Sequence, residues 1–275
     1  MPLIKSSFTT LGPERLIMWR HGHYYANDLT QQEWKPGDPD PVLPSLEEVA
    51  HAELSGRGKM QSLRSGVLFH DRYPDLHTVL SSDWTRPHQT AEYISKVYQR
   101  KRASGLTIET SEVLHERTRG TKYDLKPRSW IAAQEDYQTF LDFPGTWIPN
   151  PKGQGAEQGQ TLVSKAEELQ SLWPRMAELA LGDTLLVTAH GEVTGGAALI
   201  AFAGFGNEDL KRPLPVQNEE WWPRTINNCH GYIFEGLTEK DGTYSYSRMM
   251  GIDASKPDIR MTGWIAINAP QRDKA

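Results

Sequence analysis

Three short segments of the chain contain consecutive apolar residues and are followed at once by polar ones. They are Leu16–Trp19, His77–Ser81 and Thr184–Ala189. Apolar segments of this length are typical of strands buried on both faces of a parallel sheet. The carboxyl ends of parallel strands lie along one edge of the sheet. We therefore expect Arg20-His21-Gly22, Ser81-Ser82 and His190-Gly191 to meet at that edge.

Helices are predicted after the first two strands. Four apolar residues recur at helical spacing and predict a helix that ends before Tyr73-Pro74, namely Met60, Leu63, Val67 and Leu68. After the second strand, Thr85 is a candidate helix cap, and Pro87 falls near the first turn of a helix that runs to about Arg100. Strand, turn and helix thus follow one another twice.

The rest of the chain extends this alternation. Further helices are predicted over about 129–141, over about 161–181 with a kink at Pro174, and from near Val193. Two strands at about 231–234 and 244–247 join across a turn at Asp241-Gly242. The predicted class is α/β, a three-layer α/β/α sandwich with a mostly parallel central sheet. We expect a single domain over residues 1–275, with surface insertions at about 28–53 and 145–160.

Composition and charge narrow the classes of function. The net charge is −5 and the chain has no long run of lysine and arginine, which argues against a nucleic-acid binder. The single cysteine, Cys229, excludes an intramolecular disulfide and fits a reducing compartment. The first ten residues lack the apolar stretch of a signal peptide, and the apolar-rich run at 197–205 is too short to span a membrane. We predict a cytoplasmic protein with no membrane partner, whose oligomeric state the sequence leaves open.

The residues at the predicted strand ends suit a phosphoryl group. Arg20 and Arg86 each carry a guanidinium that holds two phosphate oxygens, and helix N-termini add backbone N–H donors. A neutral imidazole, here His21, is able to attack phosphorus, and the transfer then needs an acid for the leaving oxygen. Glu116 is a candidate for that acid, because it follows a predicted strand in a polar loop. We expect His190 to be protonated beside the phosphoryl oxygens.

Five motifs in chain order resemble those of the histidine phosphatase superfamily, the phosphoglycerate mutase-like proteins of the branch with the Arg-His-Gly motif. They are Arg20-His21-Gly22 with Asn27, Leu54-Ser55-Gly56-Arg57-Gly58-Lys59-Met60-Gln61, Ser81-Ser82 with Arg86 and Gln89-Thr90-Ala91, Leu114 with Glu116 and Gly120, and Thr188-Ala189-His190-Gly191. The tripeptide alone is weak evidence, whereas five motifs in the right order are specific. The resemblance spans about residues 16–234.

The resemblance implies a role for each matched residue. His21 would become phosphorylated, and Glu116 would be the proton donor and then the base. The phosphoryl group would be held by Arg20, Arg86 and His190, with Asn27 as a further residue of the pocket. Family members need no metal and no other cofactor, and the sequence has no cluster of His, Cys and carboxylates at zinc-ligand spacing. The implied function is hydrolysis of a small phosphomonoester through a phosphohistidine.

Two other functions stay open. A mutase would return the phosphoryl group to another hydroxyl of the bound product, but the segment from Asp28 to Trp34 lacks the longer signature of the cofactor-dependent phosphoglycerate mutases. A non-catalytic phosphate-binding protein would need neither His21 nor Glu116. The identity of the substrate is not readable from this sequence.

Several residues near the motifs have two interpretations. His23 either binds a substrate oxygen or is packed in the interior. Arg117, Arg119 and Lys122 either hold a second anionic group or form a solvated face. The Trp221-Trp222 pair either forms a wall for an organic substrate or packs in the core.

Overall fold

A mixed eight-stranded sheet lies at the centre of the described part of the chain. The computed structural model describes residues 12–24, 42, 45–118, 126–127, 130, 145, 158–180, 183–212, 214–216, 219–221, 226–240, 243–255, 257, 259–262 and 265–267. Asn27, most of the two predicted insertions and all but residue 130 of the helix predicted over 129–141 lie outside these residues. The single-domain arrangement stays a prediction.

The elements of the amino-terminal half alternate as expected. In chain order they are strand Arg15–Arg20 (β1), helix Leu46–His51 (α1), helix Gly56–Arg72 (α2), strand Thr78–Ser81 (β2), helix Thr85–Arg102 (α3), strand Thr107–Thr110 (β3) and a 3-10 turn at Glu112–Leu114. Thr85 is the first residue of α3 rather than its cap. The cap position belongs to Trp84, whose side chain makes no capping hydrogen bond.

The carboxyl-terminal half begins with helices and ends with strands. In chain order it holds helix Leu162–Ser171 (α4), helix Trp173–Ala180 (α5), strand Thr184–Ala189 (β4), a π-helical turn at Val193–Ala197, helix Ala198–Ala203 (α6), helix Asn207–Leu210 (α7), and strands Leu214–Val216 (β5), Glu219–Trp221 (β6), His230–Lys240 (β7), Thr243–Asp253 (β8), Arg260–Met261 (β9) and Ile265–Ala266 (β10). The predicted helix over 161–181 is two helices, because Pro174 has no N–H to donate within a continuous helix.

The sheet is parallel where the predicted site lies. Its order is β10-β8-β7-β1-β4-β2-β3, with β9 also paired to β8. Strands β1, β4, β2 and β3 are parallel neighbours, whereas β7 pairs with β1 in the antiparallel direction. The register sets Arg20 opposite Ala189 and Ser81 opposite Thr188. The three polar strand ends therefore meet at one edge, and the α/β class is confirmed.

Side chains of the central strands alternate between two cores. Leu16 and Met18 of β1 pack with the core that contains α4 and α5, through residues such as Leu169. Ile17 and Trp19 pack on the other face, against residues of α2 and α3. Because successive residues of a strand point to opposite faces, helices cover both sides of the sheet. The described residues thus form three layers.

The buried face of helix α2 is not the face that carries its regularly spaced apolar residues. Met60 and Val67 are 52% and 43% exposed. The buried face is built mostly from small and polar residues, among them Gly66. A Cβ added at Gly66 would lie 2.8 Å from Cγ2 of Val97 in α3, so glycine permits this close helix contact. The helix was predicted correctly, but its apolar spacing does not mark its buried face.

Candidate active site

His21 begins the loop after β1, and its ring is buried. Nδ1 lies 2.7 Å from the carbonyl oxygen of Gly22, and Nε2 accepts a hydrogen bond of 3.3 Å from Nε of Arg86. A carbonyl only accepts hydrogen bonds, so the ring proton is on Nδ1 and the lone pair is on Nε2. Burial, with the charges of Arg86 and Arg20, holds the pKa of His21 well below its ordinary value of 6.5. The ring is therefore a neutral base whose Nε2 faces a cation.

The loop that carries His21 is held by hydrogen bonds from other elements. The Gly22 amide donates to Oγ1 of Thr90 on α3 at 3.0 Å. Nδ2 of Asn228 donates to the carbonyls of both His21 and Gly22 at 3.3 Å. Where the loop crosses α2, a Cβ on Gly58 would lie only 2.0 Å from the His23 carbonyl oxygen, so this crossing requires glycine. These contacts fix the orientation of the His21 ring.

Arg86, in the first turn of α3, links the two histidines. Its guanidinium donates from Nε to His21, and Nη2 lies 3.4 Å from Nδ1 of His190. Nη1 donates to the Val49 carbonyl, and the Tyr24 ring lies 4.1 Å below the guanidinium carbon. The side chain is buried. Arg86 is thus a fixed cation, because every side of it is held by a neighbour.

His190 follows β4 and is completely buried. Its ring centroid is 5.3 Å from that of His21. Nε2 lies 3.3 Å from Oγ of Ser82, which is able to accept its proton, while Nδ1 faces the Arg86 donor. Burial and the nearby charge of Arg86 are the largest of the causes that hold the pKa of His190 well below 6.5. The ring is therefore neutral in this arrangement, in which a buried imidazole faces a cation; its protonation beside a phosphoryl group stays a prediction.

Glu116 follows the 3-10 turn and reaches the same site. Its Oε1 accepts a hydrogen bond of 3.2 Å from the backbone N–H of Glu192. Its Oε2 lies 3.8 Å from Nδ1 of His190. The Glu116 side chain is 22% exposed, so it stands between the buried histidines and solvent.

Arg20 is the last residue of β1 and supplies the second guanidinium. Nη1 donates to the carbonyl of Ile226, and the guanidinium packs on Gly191, where a Cβ would lie 3.3 Å from Cζ. The charge of Arg20 contributes to the lowered pKa values of both His21 and His190. Two cations and two neutral imidazoles thus share one buried volume. Such a volume attracts a dianion.

A cleft of about 480 Å³ opens beside Glu116. Its lining consists of Glu112, Val113, His115, Glu116, Thr118, Gln160, Lys165 and Glu168. The lining is largely polar and includes Glu116, the candidate acid.

The structure decides between the interpretations of two nearby residues. His23 is buried, and its Nδ1 lies 2.7 Å from Oγ of Ser55 at the start of α2, so it is a packed histidine. Arg117 was a candidate for holding a second anion, but its guanidinium is buried and bonded bidentately to Glu192. Arg117 thus forms no solvated face, and its donors already hold a carboxylate of the chain. Arg119, Lys122, the side chain of Trp221 and all of Trp222 lie outside the described residues.

Three contributions to the site had no signal in the sequence. Asn228, Glu192 and Val49 act through one side-chain amide, one backbone amide and one backbone carbonyl. Backbone groups carry no residue-specific signal. An asparagine 207 positions from its acceptor is recognised only when β7 is seen beside β1.

The buried histidines make stability depend on pH. A folded pKa below 6.5 means that the unfolded chain binds more protons under pH 6.5, so stability is expected to fall as the pH drops from 6.5 toward 5. Each such ring contributes a slope of up to about 1.4 kcal/mol per pH unit. Urea unfolding at pH 7 and pH 5 measures the effect, and His21→Asn should lower the slope. The exposed His77→Asn is the control. An unchanged slope in His21→Asn would contradict the assigned protonation.

The described residues contain neither a metal-binding cluster nor a membrane-spanning helix. Among them, no group of three or more His, Cys, Asp and Glu side chains is arranged to hold a metal ion. No helix built from these residues is long and apolar enough to cross a membrane.

Comparison with known proteins gives a family and a fold. The sequence model of the histidine phosphatase superfamily (branch 1) matches residues 16–233. No curated protein matches the sequence significantly.

Solved structures share the fold at low sequence identity. YhfR of Bacillus stearothermophilus has a TM-score of 0.58 and 17% identity, over 85% of this chain and 95% of that one. A mycobacterial glucosyl-3-phosphoglycerate phosphatase has a TM-score of 0.56 and 17% identity, over 84% and 95%. A phosphoserine phosphatase mutant from Entamoeba histolytica, in complex with phosphoserine, has a TM-score of 0.57 and 13% identity, over 85% and 94%. At these identities the likeness establishes the fold alone.

Proposed function

Since this chain belongs to the histidine phosphatase superfamily (branch 1), we propose that it hydrolyses a small phosphomonoester through a phosphohistidine on His21. One observation carries the proposal. Nε2 of His21 has its lone pair directed at the cation of Arg86, next to His190, in a buried site with Glu116 at its edge. A nucleophile, a cationic pocket and an acid are the three parts that phosphoryl transfer needs.

In the first step, Nε2 of His21 attacks phosphorus as the bond from phosphorus to the ester oxygen breaks. The hydrogen bond from Nδ1 to the Gly22 carbonyl stabilises the positive charge that develops on the ring. Arg20 and Arg86 neutralise the phosphoryl oxygens. The leaving oxygen takes its proton from Glu116, which ends the step as a carboxylate.

In the second step, water replaces the alcohol. The Glu116 carboxylate takes a proton from the water as its oxygen attacks phosphorus, and the bond from phosphorus to Nε2 breaks. Inorganic phosphate leaves, the His21 lone pair returns, and Glu116 is protonated again for the next cycle.

A bound phosphoryl group changes the electrostatics of His190. Burial and the charge of Arg86 lower the pKa of the ring, and a dianion placed between Arg86 and His190 opposes the second of these causes, so substrate binding favours uptake of a proton. His190 then donates to the phosphoryl oxygens as a cation. The neutral ring of the structure and a protonated ring during transfer are therefore compatible.

We infer that the two guanidinium groups and His190 supply the positive charge that a divalent metal supplies in other phosphatases. The proposed activity therefore needs no added metal or other cofactor. We infer a small-molecule substrate, since proteins that share the fold are named as a glucosyl-3-phosphoglycerate phosphatase and a phosphoserine phosphatase. The buried Cys229 thiol agrees with a cytoplasmic location, which stays a prediction.

Phosphate release in the presence of EDTA tests the proposal. The wild type is expected to release phosphate from p-nitrophenyl phosphate and from some members of a panel of sugar, amino-acid and nucleoside monophosphates. With an alkyl phosphate, Glu116→Gln is expected to lower kcat/KM, which reports the steps up to departure of the leaving group, by about 10²-fold or more, because an alkoxide needs a proton to leave. With p-nitrophenyl phosphate the loss should be smaller, since nitrophenolate leaves without one.

The controls separate this activity from its alternatives. Glu178→Gln alters a carboxylate that is 66% exposed on α5 and should retain full activity. Release that requires added metal would contradict the proposed chemistry. Transfer of the phosphoryl group between alcohols without release would establish a mutase, and phosphate binding without any transfer would establish a binding protein.

A further inference from the structure

A largely buried ion pair joins Arg117, the residue after the candidate acid, to Glu192. Nε and Nη2 of Arg117 donate to the two carboxylate oxygens of Glu192 at 2.9 and 3.0 Å. The side chains are only 1% and 14% exposed. Such a bidentate pair fixes both the distance and the relative orientation of its partners.

The pair closes a ring of contacts that passes through Glu116. Arg117 is the next residue after Glu116, its guanidinium binds the Glu192 carboxylate, and the backbone N–H of Glu192 donates to Oε1 of Glu116 at 3.2 Å. The loop from the 3-10 turn is thereby tied to the turn that carries His190. A movement of the ion pair would move the N–H that holds the Glu116 carboxyl group.

A second set of contacts ties the same loop to the start of α4. Nη1 of Arg117 donates to the Gln160 carbonyl at 2.6 Å. The backbone of Thr118 accepts from the Gln160 amide at 2.9 Å and donates to its side-chain oxygen at 3.3 Å. Thr118 and Gln160 also line the cleft. Arg117 thus joins the acid, the cleft and the turn after β4.

The two oxygens of Glu116 consequently differ. Oε1 accepts a hydrogen bond from a backbone N–H, so it is the oxygen that carries no proton. Oε2 lies on the His190 side, 3.8 Å from Nδ1. The proton that passes to the leaving group therefore belongs on Oε2, provided that Oε1 stays anchored.

We propose that Arg117 and Glu192 are positioning residues that aim Oε2 of Glu116 at the leaving oxygen. This inference rests on the proposed phosphatase function and adds two residues to it. Neither residue needs to contact the substrate. Their loss should therefore impair proton transfer to the leaving group much more than attack by His21.

Leaving-group dependence is the test, because a general defect in folding lowers all rates alike. Three variants are compared with the wild type, Glu192→Gln, Arg117→Lys and the double variant, each with p-nitrophenyl phosphate and with an alkyl phosphate that the wild type accepts. Glu192→Gln keeps the backbone N–H and the side-chain shape while removing the charge. Arg117→Lys keeps the charge and removes the bidentate geometry.

Each single variant is expected to lower kcat/KM for the alkyl phosphate about 10- to 100-fold, a part of the full effect of a general acid. The kcat/KM for p-nitrophenyl phosphate should fall less than about threefold, whereas slower hydrolysis of the phosphohistidine, in which Glu116 is the base, affects kcat for both substrates alike. The kcat/KM of the double variant for the alkyl phosphate should be no lower than that of the more impaired single variant, because both changes break the same interaction. Circular-dichroism melting identifies the variants that are folded at the assay temperature. One folded single variant is enough to test the inference.

The matched control is Glu235→Gln. Glu235 forms a partly buried ion pair with Arg15. Arg15 is the first residue of β1 and Arg20 is the last, so five residues of strand, about 16 Å, separate the pair from Arg20. This variant should lower the rates with both substrates equally or not at all. Equal losses of kcat/KM for both substrates in Glu192→Gln and Arg117→Lys would overturn the inference while leaving the phosphatase function intact. No phosphate release by the wild type from any substrate would overturn both.

Discussion

Turnover of every phosphomonoester is expected to fall by about 10⁴-fold or more when His21 is replaced by asparagine. The reason is that Nε2 of His21 carries the lone pair directed at the Arg86 cation, and the shorter asparagine side chain places no nucleophilic nitrogen at that position. Asparagine is the suitable replacement, because its side-chain N–H is able to donate to the Gly22 carbonyl as the histidine does. Initial rates of phosphate release with EDTA present measure the loss.

A binding measurement distinguishes loss of chemistry from loss of the pocket. Inorganic phosphate should still bind His21→Asn in isothermal titration calorimetry, since Arg20 and Arg86 are unchanged. The exposed His77→Asn should turn over like the wild type. If His21→Asn retained more than a tenth of the wild-type rate, His21 would not be the nucleophile.

Replacing Arg86 with lysine is expected to lower kcat/KM by about 10³-fold. Lysine keeps the charge but cannot donate to Nε2 of His21 and reach Nδ1 of His190 from one planar group. It also loses the stacking on the Tyr24 ring. Steady-state kinetics should show the lower kcat, and inhibition by inorganic phosphate should show weaker phosphate binding.

Arg100→Lys gives the reference for this substitution. Arg100 is exposed near the other end of α3, so its replacement should change kcat/KM less than about twofold. A loss below tenfold in Arg86→Lys, with phosphate inhibition unchanged, would show that Arg86 does not hold the phosphoryl group.

The central strands and the residues at their ends were predictable because each strand is buried on both faces. The predicted strand over Thr184–Ala189 has the observed bounds, and β1 and β2 differ from their predictions by one residue at each end or less. Burial on both faces leaves an uninterrupted apolar run, and the motif residues stand where that run stops. His21, Arg86 and His190 therefore lie together as their positions in the sequence indicated.

Features that depend on tertiary contacts were not predictable. Met60 and Val67 are exposed although their spacing is that of an apolar face, because α3 approaches the small residues of α2 instead. The lowered pKa of His190 follows from its burial and from the charge of Arg86, a neighbour 104 positions away. The buried position of Arg117 follows from its ion pair with Glu192, a residue 75 positions away. Strands β9 and β10 have two residues each, too few to form a pattern.

Trapping the phosphorylated enzyme tests the central claim most directly. The protein is mixed with a phosphomonoester that it turns over, quenched in alkali within one turnover, and digested for mass spectrometry and ³¹P NMR. Alkali preserves phosphohistidine, and the account predicts one phosphoryl group on Nε2 of His21 in the wild type and none in His21→Asn. A phosphoryl group on another residue, or rapid turnover with no covalent phosphoenzyme, would contradict the account.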